Sequence, residues 1–167
     1  VRFLGEALNR KIRVVVRRHN NECIEHAFED ARSKVFGDSI EKKDLRALLK
    51  ALRAGEAVVY SSDQNFNYQH AFVPFFGIPA ATLTATPAII ERSGAAMLPF
   101  WFYRDVDGRY QITIAEAWEN WPSGNALADT RIYMQKLEAV VREHPEQYLW
   151  AHRRFKTRPQ GLPDIYT

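Results

Sequence analysis

No apolar run in this 167-residue chain approaches the ~20 residues a helix needs to cross a bilayer. Its first residues, VRFLGEALNRK, also lack the basic start, apolar middle and small-residue cleavage site of a secretion signal. No membrane span made by these residues is expected. Cysteine is nearly absent: Cys23 stands alone, which excludes an internal disulfide framework and a cysteine-based zinc cluster and best fits a reducing compartment. The eight glycines are scattered, so they form neither the Gly-x-Ser-x-Gly of a nucleophile elbow nor the close glycines before Lys of a phosphate loop. Serine-hydrolase and P-loop readings drop out. The five histidines, His19, His26, His70, His144 and His152, have no metal-type spacing, so neither a metal nor another cofactor is expected. No aromatic-plus-basic ribonucleoprotein motif is present, and nucleic acid is not expected as a partner. No internal repeat, low-complexity run or linker interrupts the chain.

The composition present, 46% hydrophobic and 26% charged, suits one globular domain with a substantial core. A formal charge of +3 and a pI near 9.1 favour acidic partners: phosphorylated lipids, an acidic carrier protein or nucleic acid. Residues 2–10 read as a helix and the IRVVV run, residues 12–16, as a β-branched strand. From Asn20 or Asn21, both competent N-caps, Ile24, Ala27, Phe28, Ala31 and Val35 recur at helical spacing until Gly37. Arg32 falls at the edge of that stripe, where it either snorkels or serves a site. Leu45, Leu48, Leu49 and Leu52 form another amphipathic stripe, with Lys42, Lys43, Arg46, Lys50 and Arg53 elsewhere and Gly55 at the end. That basic face is either solvated or turned to an acidic partner.

The stretch the chain is organised around runs over residues 57–76, AVVYSSDQNFNYQHAFVPFF. A short aliphatic strand stops at Ser61, Ser62 and Asp63, and a polar tip leads into an aromatic segment read as an exposed loop. Ligands in open α/β sheets sit beyond the carboxyl ends of strands, so Asp63 and Gln64 are candidates for chemistry or binding; the structural alternative is a cap or turn. A Thr-rich segment then leads into a helix, PAIIERSGA, ending at Gly94. The run AMLPFWFY is a strand whose Pro99 implies an edge or bulge, and Asp107 and Gly108 mark a hairpin into RYQITIAEAW. The last strong helix carries Tyr133, Met134, Leu137, Val140 and Val141 and stops before Pro145. In the tail, His152, Arg153, Arg154, Lys156 and Arg158 are interleaved with Phe155, either as a solvated basic end or as a surface for phosphates or an anionic membrane. Helices alternating with aliphatic strands predict a mixed α/β fold with a largely parallel sheet flanked by helices and one antiparallel hairpin.

The order VVVRRHNN, KDLRALLKALRAGEAVVY, SDQN, FVPFFGIPAATLTAT, SGAAMLPFWFYR and PEQYLWAHRRFKTRP resembles the bacterial late acyltransferases of lipid A biosynthesis, the lauroyl and myristoyl transferases within the lysophospholipid acyltransferase superfamily. The likeness covers essentially the whole chain, in order, and its FVPFFG and HRRFKTRP segments are specific. It implies an acyltransferase-like fold and an enzyme at the cytoplasmic face of the bacterial inner membrane. Such an enzyme moves a fatty acyl group from acyl carrier protein, the donor, onto a hydroxyl of a phosphorylated lipid A precursor, the acceptor. The chemistry needs a base for the hydroxyl proton, donors for the developing oxyanion and cations for the substrate phosphates.

Family members supply the base with a His followed, after four residues, by an acid; the positions five beyond His19 and His26 hold Ile24 and Ala31. The resemblance therefore implies that residues 1–167 are a single acyltransferase domain fragment whose upstream membrane helix and catalytic His/acid motif precede Val1, and that this piece alone is inactive. It further implies that Arg32 stabilises the oxyanion or the dyad carboxylate, that Asp63 is the strand-end acid orienting Arg32 through an ion pair, and that Arg17, Gln64, Arg153 and Arg154 contact substrate. Many relatives read Pro-Asp-Gln-Asp where this chain has Ser62, Asp63, Gln64 and Asn65, so the second carboxylate is missing and position 65 receives no role. The aromatic run would line an acyl groove or touch lipid. Two other readings compete: a noncatalytic lipid-binding module on the membrane surface, and an acyltransferase for another bacterial glycolipid or aminolipid.

Overall fold

A computed structural model describes residues 5, 8–9, 12–36 and 39–166. Most of the helix expected over residues 2–10, and the stop at Gly37, lie outside them. The chain divides into two compact units, residues 1–61 with 92–95, and residues 62–91 with 96–167.

The first unit is built on a parallel sheet in the order β2-β1-β3, with β1 at Ile12–Val16, β2 at Ile40–Glu41 and β3 at Ala57–Val59. The β-branched IRVVV run occupies the central strand, and the aliphatic strand before Asp63, β3, lies at the edge among the described residues. Helix α1 spans Glu22–Phe36 and α2 spans Leu45–Arg53. Asn21 starts α1, its side chain accepting from the Ile24 amide at 3.2 Å. Asp44 caps α2 in the same way through the Ala47 amide at 2.8 Å, and α2 ends before Gly55, whose φ of +75° closes the turn. The two helices present their apolar residues differently. Leu48 and Ala51 of α2 are buried, whereas Ile24 and Phe28 of α1 are 46% and 50% exposed.

The second unit opens with a hairpin that the sequence reading treated as an exposed aromatic loop. Strands β4, His70–Phe75, and β5, Ile78–Leu83, pair antiparallel with Phe75 opposite Ile78. The correction follows from the period of two: Val73 and Phe75 are buried while Phe72 and Pro74 face outward. Phe76 and Gly77 form the two-residue connection, both with positive φ, +51° and +75°, the conformation a tight hairpin requires. Among the described residues there are therefore two antiparallel hairpins, where the sequence predicts one.

Helix α3, Ala85–Ser93, ends at Gly94 as expected. The second hairpin joins β6, Phe100–Arg104, to β7, Tyr110–Ile114, through Asp107 and Gly108. Pro99 stands just before β6, where its carbonyl still accepts from Ala115 at 2.9 Å. Helix α4, Ala126–Glu143, is capped by Asn125 and packs Met134 and Val141 against Val73, Phe75, Ala80 and Phe155. Burying Phe75 completely contributes about 2–3 kcal/mol of transfer free energy. The tail winds through two short 3-10 turns, Pro145–Gln147 and Trp150–His152, back onto this core. The mixed α/β architecture matches the sequence expectation and is compatible with an acyltransferase-like fold.

Candidate functional site

In the first unit an ion pair is sheltered on α1, whose other described side chains are exposed. Glu25 and Arg32 lie seven residues, two helical turns, apart and so share a face of α1. Arg32 Nη2 donates to Glu25 Oε1 at 2.6 Å, with the side chains 14% and 5% exposed. The other carboxylate oxygen accepts the His19 amide, also at 2.6 Å, which ties the helix to the segment leaving β1. That backbone bond first, and the guanidinium beside it, hold the Glu25 carboxyl below its ordinary value. Arg32 Nε is buried and meets no acceptor among the described residues, so the guanidinium keeps an unused donor. Arg17, directly after β1, is exposed.

In the second unit, residues 62–65 are pinned to the tail. The Asn65 amide donates to His152 Nε2 at 2.9 Å, Asn65 Nδ2 to Thr157 Oγ1 at 2.9 Å, and the Thr157 amide returns to Asn65 Oδ1 at 3.2 Å. Position 65, left without a role by the sequence, thus holds the Asp63 turn in place through its amide. Because His152 Nε2 accepts a hydrogen bond, the imidazole is the neutral tautomer with its proton on Nδ1, and burial pushes its pKa below the ordinary 6.5.

Ser62 is buried and hydrogen-bonded to the Tyr133 hydroxyl. Asp63 is half-buried, and its charge reaches Tyr133, Tyr148, His152 and Arg154. Burial first and that charge second raise both phenols, Tyr148 to about 12, so both stay protonated donors at neutral pH. Gln64 is exposed beside this cluster.

The two tail arginines part company. Arg153, in the left-handed conformation at φ +54°, is exposed and lays its guanidinium over the Tyr166 ring at 5.7 Å. Arg154 is 1% exposed and gives Nη1 to the Ala81 carbonyl at 2.8 Å and Nη2 to Thr82 Oγ1 at 2.6 Å. The basic tail therefore packs rather than ending free in solvent. The carboxylate that Arg32 meets is Glu25 on its own helix, while Asp63 lies in the other unit and its field falls on Arg154.

Sequence reasoning missed Glu25, Asn65, His152 as an acceptor, and the tyrosine pair. The spacing of Glu25 and Arg32 could have revealed the first. The others meet partners far along the chain, 87 and 92 positions away for Asn65, and leave no local trace. Among the described residues no group of three or more His, Cys, Asp or Glu side chains is placed to hold a metal ion. No helix among them is long and apolar enough to cross a membrane.

Comparison with known proteins places the chain in a family. The chain is 36% identical over 156 residues to a lipid A biosynthesis lauroyltransferase of Escherichia coli strain K12, covering 91% of this chain and 51% of that protein. It is 37% identical over 154 residues to the palmitoleoyltransferase of the same organism, covering 90% and 50%. With a lipid A biosynthesis acyltransferase of Haemophilus influenzae it shares 31% identity over 157 residues, covering 91% and 50%. The chain thus spans about half the length of the curated relatives it matches. Residues 3–157 match the model of the bacterial lipid A biosynthesis acyltransferases, and the chain belongs to that family.

Proposed function

We propose that the protein containing these residues transfers a fatty acyl group from acyl carrier protein to a hydroxyl of a phosphorylated lipid A precursor, at the cytoplasmic face of the bacterial inner membrane. The observation that carries the reading is Arg32: a sheltered guanidinium, aligned by one buried carboxylate, with a buried Nε still unused among the described residues. Attack of a hydroxyl on a thioester carbonyl places negative charge on the carbonyl oxygen until the thiolate leaves. A fixed cation with a spare N–H aimed at that oxygen stabilises the charge at little reorganisation cost. Glu25 holds the guanidinium in one orientation, Arg17, Gln64 and Arg153 supply exposed donors for substrate, and Asp63 sets the field around the tail. Arg154, buried within the second unit, would meet a substrate phosphate only by giving up its bonds to Ala81 and Thr82.

The test is transfer of labelled lauroyl groups from acyl carrier protein to a phosphorylated lipid A precursor by the intact protein. Arg32→Lys keeps the charge and the partner of Glu25 but removes the planar fork and should lower kcat about 100-fold with KM little changed, in line with the loss of one oxyanion donor. Asp63→Asn should lower kcat/KM about 10-fold or more. Wild-type rates in both variants would sink the site assignment. Absence of transfer by the intact wild type, with lipid binding retained, would favour a noncatalytic lipid-binding module; transfer to another glycolipid or aminolipid alone would change the acceptor.

A further inference from the structure

The exposed side of α2 is a shallow groove of about 570 Å³, lined by Leu45, Arg46, Leu49, Lys50 and Arg53. At 100° per residue, Leu49 lies about 40° from Leu45, and Arg53, Arg46 and Lys50 follow at about 80°, 100° and 140°. On the same wheel the buried Leu48 and Ala51 lie on the other side of Leu45, at about −60° and −120°, turned into the unit. The leucines therefore form an apolar floor and the three cations a wall along one edge. Lys42 and Lys43 are exposed just before the helix. Of the acids at that end, Asp44 is occupied as the N-cap and Glu41 is exposed. Arg53 is fixed in place by donating Nε and Nη2 to the Arg92 carbonyl at 3.3 and 2.9 Å.

We infer that this groove docks an acidic amphipathic helix of a partner protein. The charge of the wall calls for acidic residues, and the leucine floor calls for apolar anchors beside them at helical spacing. A flat anionic bilayer would meet the cations but could not fill the groove, whereas a helix of ~10–12 Å diameter can lie along it. Resting on the proposed function, the partner is the acidic carrier that brings the acyl chain. Docking at α2 then raises the local concentration of the donor, and the rim cations act chiefly on the encounter rate.

The experiment compares donors in the intact protein carrying Arg46→Glu with Lys50→Glu, both exposed positions. With lauroyl-loaded acyl carrier protein, KM should rise at least about tenfold and kcat hold, and wild-type KM should rise with added salt. With lauroyl-coenzyme A, which has no acidic helix, wild type and variant should transfer equally slowly. Leu49→Asp, which spares the cations, should weaken carrier binding as well. Unchanged KM for the carrier, or loss confined to binding of vesicles containing phosphatidylglycerol, would overturn the inference. If wild type transfers from neither donor, the proposed reaction fails, and binding to immobilised carrier protein judges the groove alone: loss in the charge-reversed variant supports it and equal binding refutes it.

Discussion

Arg154 carries a full charge into the interior of its unit, where the Ala81 carbonyl and the Thr82 hydroxyl take its donors and Asp63 supplies opposing charge. Removing the whole side chain leaves a cavity and takes two hydrogen bonds, so Arg154→Ala should cost about 2–4 kcal/mol in denaturant unfolding. Arg154→Met fills most of that space without a charge to desolvate and should cost much less. A residue whose only task was holding phosphate would leave stability untouched in both. Measured without substrate, the contrast separates the two roles.

His152 gives a residue-scale prediction in pH. Its folded pKa lies below 6.5, so between those two values the unfolded chain binds more protons than the folded one. Its contribution to stability is complete above about pH 6.5 and is lost as pH falls towards the folded pKa, when protonated Nε2 can no longer accept from Asn65. Melting curves from pH 7.5 to 5 should show this loss, and His152→Gln, whose amide oxygen can still accept, should flatten it. If the acid sensitivity is identical in the variant, the His152 bond is not its source.

Among the elements, the β4–β5 hairpin shows how a local pattern is completed from far away. Phe76 holds a positive φ that a non-glycine residue adopts only at a cost of about 1–2 kcal/mol. Glu138 on α4 accepts its amide at 2.6 Å and Arg142 covers its ring at 4.7 Å. Glu138→Ala should therefore cost about 1–2 kcal/mol, localised to the hairpin turn when followed by amide exchange. At α2 the cause is local, and Asp44→Ala should cost about 1 kcal/mol. The sequence revealed α2 by its leucine spacing and terminal glycine. It disguised β4, because five aromatics around a polar tip resemble a loop until their alternation meets a partner strand.

Across the whole molecule, burial is uneven. Val73, Phe75, Ala80, Met134 and Val141 belong to one closed core in the second unit, while among the described side chains α1 shelters little besides Glu25 and Arg32. Amide exchange of the 167-residue chain should be slowest in β4, β5 and α4 and fastest among helices in α1. Equal protection throughout would contradict that gradient.

The sequence by itself determined the helices with periodic leucines and named caps, the β-branched strand, the hairpin at Asp107 and Gly108, and, through ordered motifs, the family. Each follows from interactions within a few residues or from a pattern of residue types. Only the tertiary structure decided that Arg32 faces Glu25, that Asn65 and His152 hold the Asp63 turn, and that of two adjacent arginines one is buried while its neighbour meets solvent. Those outcomes depend on which distant groups arrive at the same point: a charge is sheltered only where acceptors from other strands wait for it, and local spacing carries no record of them.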